Sequence, residues 1–222
     1  MSSSLDLAGH AMAHIHFPDG VLPIQWVLFW WLLALALLVV ALIVTRKQAI
    51  PTQRLAIAGM LAAVSFAVFQ IDIPFAGGVH MNLTPLIGIL AGPGIGSLII
   101  LIVNLLSAAV GHGGWGLVGA NTLVNFSEIT VAFYVFRMTR GRLEMFTRGA
   151  VAAILGLLVG NVALLAVLVI SGIQGSDLHG VALLTYLIQI PILNMIVAVP
   201  EAIITGFVVD YLGKVRPDLL GE

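Results

Sequence analysis

Apolar runs of membrane-crossing length dominate the chain. Residues 26–44 contain 19 positions without a charge, about 28 Å as helix and enough to cross a hydrocarbon core. That run stops at Arg46-Lys47, and Pro51 breaks the connection. Residues 55–71 form a second span, which closes at Asp72-Ile73-Pro74. Residues 117–136, 150–170 and 181–212 supply three more, the last with Pro191 and Pro200 inside it. Between Asp72 and Glu128 there is no Asp, Glu, Lys or Arg, and Gly and Pro punctuate the stretch at Gly77-Gly78, Gly92-Pro93-Gly94 and Gly111 to Gly116. Here the pattern predicts a short helix over 82–91, a Gly-Pro-Gly hinge, and an antiparallel partner over 95–110. Ten residues cover only about 15 Å as helix. Half-length, glycine-bounded segments of this kind place non-helical backbone around a buried site. An ordinary, slightly extended hairpin is the alternative.

Composition agrees that lipid is the solvent. The 222 residues are 60% hydrophobic with a mean hydropathy of +1.14, and 9% are charged, against roughly 25% in a typical soluble domain. The net charge of -1 says nothing about nucleic acid, and no basic patch or aromatic platform suggests such a partner. Residues 1–20 lack a positive n-region and an apolar core, so no secretory signal is expected there. Residues 26–44 suit an uncleaved insertion signal. If the runs alternate across the bilayer, the connections carrying Arg46, Lys47, Arg54, Arg137, Arg140, Arg142 and Arg148 share one face with Lys214 and Arg216. By the positive-inside rule that face is cytoplasmic. His10, His14, His16, His80, His112 and His179, all 6 histidines, fall on the other. The expectation is an all-α polytopic protein of the plasma (inner) membrane, with about six to seven transmembrane helices, one of half length. Its N-terminus is outside and its C-terminus cytoplasmic. Residues 1–24 form an N-terminal extension and metal-binding segment, 25–213 the helical domain, and 214–222 a cytoplasmic tail.

Candidate chemistry is confined to that outer face. With no cysteine, a transition metal must use imidazole, carboxylate or backbone nitrogen. His14 and His16 precede Phe17-Pro18-Asp19-Gly20, where Pro18 favours extended chain and Asp19-Gly20 a turn. His80 follows Gly77-Gly78-Val79. For these three histidines a ligand role and a solvated-loop role are both open, whereas His10 and His179 read as solvated loop residues. Asn121, Asn125 and Glu128 share one helix face. Asn125 suits an interhelical hydrogen bond, and Glu128 and Glu201 suit the cytoplasmic half, paired or turned to a partner subunit.

These residues carry a resemblance. His16-Phe17-Pro18-Asp19-Gly20-Val21-Leu22-Pro23 is similar to the opening M-H-I-P-D-G-F-L-P of the CbiM/NikM family. Pro74 to His80, with Leu86 to Pro93 after it, resembles the family's P-x-x-G-G-T-S-x-H and G-x-x-L-A-x-I-L-L-G-P. Gly111 to Asn121 resembles G-D-G-G-L-x-x-L-G-A-N, and Pro200-Glu201 the acidic P-x-A-x-x-E-G region. The likeness covers about residues 13–212. It implies the substrate-binding (S) component of a cobalt or nickel energy-coupling-factor transporter, with Ni2+ or Co2+ as cargo and no other cofactor. Implied partners are a transmembrane coupling protein, two ATP-binding subunits and a small accessory membrane subunit. It also implies a nearly planar nitrogen site made by the chain's amino group, the second residue's backbone nitrogen and imidazole, and a loop histidine.

His80 fits the loop ligand, in a loop shorter than the family's. The N-terminus departs, because fifteen residues precede His16. Translation from Met12 would leave Ala13-His14 as the amine and second residue, although the motif aligns His16 with that role. Alternatively His14, His16 and His80 bind through imidazoles alone, with His112 as a further ligand. Asp19, His112 and Asn121 are candidates for a supporting shell or for direct ligation. The chain has no phosphate-binding G-x-x-x-x-G-K-[ST], so ATP hydrolysis is expected of separate subunits. It also has no His-Glu-x-x-His helix, which disfavours an intramembrane metalloenzyme. An S component for a vitamin remains the other reading.

Overall fold

The computed structural model describes residues 19–46, 52–71, 80–173 and 181–221. Each long apolar run becomes a helix: α1 (Ile24–Arg46), α2 (Thr52–Phe69), α3 (Thr84–Ala109), α4 (Val118–Met138), α5 (Met145–Ser171) and α6 (Val181–Val215). Short 3₁₀ turns at Trp115–Leu117 and Pro217–Leu220 adjoin α4 and α6. Ile24–Arg46, Thr84–Ala109, Met145–Ser171 and Pro191–Val215 are long and apolar enough to cross a membrane, and Ala56–Phe69 is a shorter apolar helix. The protein is a multi-pass membrane protein. Helix α4 is its axis and packs on α1, α3 and α5, with α6 beyond α5. This explains its composition: Asn121, Asn125 and Glu128 lie along a buried face. Helix α1 instead turns Leu32, Val39 and Val40 outward, each more than half exposed, as a lipid-facing helix does.

Helix α3 is two helices. Gly92 breaks it with φ 72° and ψ 172°, a conformation essentially confined to glycine. An unbroken 26-residue helix would part its ends by about 39 Å. Here His80 before it and His112 after it touch, at 2.9 Å between their Nε2 atoms. The chain therefore reverses at Gly92-Pro93-Gly94, as the hinge predicts. The arms are unequal: 84–91 is about 12 Å long and 93–109 about 25 Å.

The short arm starts two residues later than expected, and the physical reason is local. The Thr84 amide donates to Asn82 Oδ1 at 3.0 Å, and Leu83 takes left-handed backbone at φ 55°. The asparagine side chain thus competes with helix at its own position. Residues 80–83 run as non-helical chain through the protein interior. Their polar backbone is satisfied from other helices. Ser65 Oγ of α2 donates to the Asn82 carbonyl at 2.5 Å, and the Asn82 amide donates to Glu201 Oε2 of α6 at 3.3 Å. Irregular backbone at membrane depth is tolerated under this condition.

The described basic residues gather at the end of the bundle opposite the two imidazoles. Arg46 closes α1, Arg137 lies in the last turn of α4, and Lys214 in the last turn of α6. The hairpin tip joins them, since Gly94 abuts Thr45. Arg148 differs from its neighbours in the chain. It is buried, donates from Nη2 to the Phe136 carbonyl at 3.0 Å, and stacks its guanidinium 4.2 Å from the Phe136 ring centre. Its charge closes the C-terminal end of α4.

Candidate metal site

His80 is delivered by the extended segment and His112 by the loop that follows the long arm. His80 is 3% exposed. The His112 amide donates back to the Ser107 carbonyl at 2.8 Å, which curls the loop over the helix end. Phe69, at the end of α2, packs against both rings, with its centroid 5.2 Å from that of His80 and 5.1 Å from that of His112. His80 Nδ1 lies 3.4 Å from the Ile71 carbonyl, an orientation that turns Nε2 towards His112. Two nitrogens bound cis, at right angles, to an ion at about 2.0–2.1 Å stand about 2.9 Å apart; tetrahedral ligands stand about 3.4 Å apart. The 2.9 Å separation of the two Nε2 atoms matches the right-angled arrangement of planar or octahedral ions. Without an ion, one imidazole donates its N–H to the other. Among the described residues no group of three or more His, Asp and Glu side chains converges.

Asp19 is a fastener. Its Oδ2 accepts the Trp115 amide at 3.1 Å and its Oδ1 the Gly116 amide at 2.7 Å. Both amides open the turn leading into α4, whose unpaired N–H groups attract a carboxylate. The chain behind His14 and His16 is thereby tied to the loop that carries His112. Asn121 lies buried on α4, and its neighbour Asn125 donates to Asn104 Oδ1 across the helix interface at 3.5 Å. Ala13, His14 and His16 lie outside the described residues, as do His10 and His179.

Beneath His80 opens a cavity of about 20 Å³ lined by Asn82, Glu128, Asn161, Asn194 and Glu201 among others, space enough for a water molecule or two. The sequence leaves the glutamates either paired or turned to a partner subunit, and the structure brings them together around this cavity. Glu128 is 3% and Glu201 2% exposed, and both approach Asn82. Their meeting was not readable from a separation of 73 positions. The available signal was an acidic residue on each of two spans whose other polar residues are amides.

Residues 16–219 match the family described as the cobalt uptake substrate-specific transmembrane region, CbiM. The chain belongs to the CbiM family. It is 28% identical over 226 residues to the cobalt transport protein CbiM of Sorangium cellulosum, covering 93% of this chain and 94% of that one. It is 30% identical over 227 residues to the protein of the same name from Geobacter sulfurreducens, covering 97% of this chain and 64% of that one. A protein of Archaeoglobus fulgidus named for fused nickel transport is 28% identical over 215 residues, covering 94% and 68%. The crystal structure of a transition metal transporter shares the fold, with a TM-score of 0.77 and 23% identity over 90% of this chain and 93% of that one. CbiM membership makes the chain a substrate-specific transmembrane component of metal uptake, and the metal its substrate.

Proposed function

We propose that this CbiM-family chain captures Ni2+ or Co2+ at the outer end of its bundle, as the S component of an energy-coupling-factor transporter. A transmembrane coupling protein, two ATP-binding subunits that hydrolyse ATP, and a small accessory membrane subunit complete the machine. The observation that carries this reading is the His80–His112 pair, whose Nε2 atoms stand 2.9 Å apart, the spacing of two cis ligands on one ion. His14 or His16, with or without the amine of Ala13, supplies the remaining nitrogens. Chain geometry permits it: three residues span at most about 11 Å and five about 18 Å, so His16 and His14 stay within reach of the loop that Asp19 holds. A nitrogen-rich set suits Ni(II) and Co(II) better than Mg2+ or Ca2+.

Release follows from the same construction. His80 rides on a segment whose backbone is held by Ser65 of α2 and Glu201 of α6, whereas His112 belongs to the loop between α3 and α4. Motion of α2 or α6 against α4, driven in the complex by ATP, separates the two imidazoles and weakens the chelate. A vitamin cargo fits less well, because a cavity of about 20 Å³ is far below the roughly 300 Å³ or more that organic ligands occupy. Native mass spectrometry of the purified protein after exposure to both ions identifies the bound metal and the mature N-terminus together. His80→Ala and His112→Ala are each expected to abolish tight binding and uptake. Wild-type affinity in His80→Ala would remove the site assignment.

A further inference from the structure

The cavity beneath His80 contains two carboxylates for which the capture of metal by nitrogen ligands has no use. Glu128 and Glu201 come from α4 and α6, and Asn82 stands between them. Its side-chain amide points to Glu128 Oε2 at 3.5 Å and its backbone amide donates to Glu201 Oε2 at 3.3 Å. The other Glu201 oxygen, Oε1, is buried without a hydrogen-bond partner among the described residues, and Glu201 lines the cavity. No Lys or Arg lines the cavity among the described residues. A carboxylate in so dry a place needs its counter-charge, as a proton or as a bound cation.

The fold also makes room for this acid. A Cβ at Gly160 of α5 would overlap the carboxyl group of Glu128, so a glycine faces the glutamate where two transmembrane helices cross. Asn161 and Asn194 complete the polar wall, joined by a 2.8 Å hydrogen bond from Asn194 Nδ2 to Asn161 Oδ1. Such a chamber, reached from His80 along two residues of extended chain, has the composition of a cation site rather than of a packing defect.

We infer that Glu128 and Glu201, with the amide groups around them, form an inner oxygen-ligand site that takes the divalent metal after it leaves the imidazoles. The inference rests on the capture role of His80 and His112. Oxygen ligands hold Co(II) and Ni(II) more weakly than imidazole nitrogen does, so the metal passes from a tight site to a loose one as it moves inward. Two ionised carboxylates match its charge of two, and the ion meets the demand of Glu201 Oε1. Asn82 couples the steps, because the segment that positions His80 also spaces the glutamates.

Cobalt(II) chloride titrated into the full chain in detergent, followed by calorimetry and visible absorption, tests the idea. The wild type should bind one tight equivalent and a second, weaker by at least about tenfold. Glu201→Gln and Glu128→Gln should each lose the second equivalent, keep the first, and lower uptake by the reconstituted transporter at least about tenfold. Glu201→Asp, which retains the charge, should keep the second equivalent. A wild type that binds one equivalent only, or Gln variants that keep both equivalents and full uptake, would overturn the inner site. Failure of the capture reading looks different: the tight equivalent is then absent from the wild type or persists in His80→Ala.

Discussion

The two arms of α3 are alike in composition and opposite in situation. Along the short arm every residue from Thr84 to Ile89 is buried. Along the long arm Ile102 and Leu106 are 48% and 45% exposed, while Val103, Asn104 and Ser107 on the other side are buried. The long arm is an ordinary membrane helix with one face in lipid. The short arm is a wedge enclosed by protein, and that enclosure lets the chain stop being helical at Leu83. Surrounding side chains replace the hydrogen bonds that lipid cannot offer, and an interior position opens where His80 can be held at the head of a polar cavity. A single apolar run can thus be a span or a site-builder, according to what encloses it.

The comparison breaks most severely at the point where the wedge touches α4. A Cβ on Gly88 would lie 2.5 Å from the Ile129 carbonyl oxygen and 2.9 Å from its Cα, and backbone cannot move aside as a side chain can. Gly88→Val should cost about 3 kcal/mol or more, seen as a large fall in thermal stability in detergent and loss of metal binding together. Next in size is His80→Ala, which leaves the wedge intact and removes what it positions. Tight metal affinity should fall more than about 100-fold, beyond the loss typical of an outer-sphere partner, with the metal-free melting temperature little changed. Gly92→Ala acts on the turn that separates the arms. At φ 72° and ψ 172° an alanine is strained by about 1–3 kcal/mol, so stability should drop by that amount while metal affinity falls only as far as the arms shift.

How much of this was legible in the chain follows from the same contrast. The spans could be read because lipid imposes a length of apolar residues on any helix that crosses it. The hairpin could be read because Gly92-Pro93-Gly94 permits little else. His80 stood out as an imidazole inside a charge-free region, with His112 in the same region as a further candidate. Features that depend on rotation and depth were not visible. Glu128 and Glu201 share a chamber because α4 and α6 present them at the level where residues 80–83 pass, and no local pattern encodes that level. Asp19 read as a turn residue, which accounts for its place in the chain; its bonds to Trp115 and Gly116 join positions 96 and 97 apart. Arg148 read as one loop cation among several, and only the packing of α5 on α4 draws it inside.

The gentlest perturbation sharpens the comparison from the lipid side. Leu106 on the long arm is 45% exposed, and within the membrane its outer surface meets acyl chains. Leu106→Ala leaves no cavity in protein, since lipid fills the space, and it touches neither the hinge nor the loop of His112. Its cost should stay below about 0.5 kcal/mol, with metal affinity and stoichiometry unchanged in a calorimetric titration. Leu86→Ala on the short arm removes the same atoms from a side chain 5% exposed, where protein borders the gap, and should cost about 2–5 kcal/mol. Equal effects at the two positions would mean that the short arm lies against lipid after all, and residues 80–83 would then lack the enclosure their backbone requires.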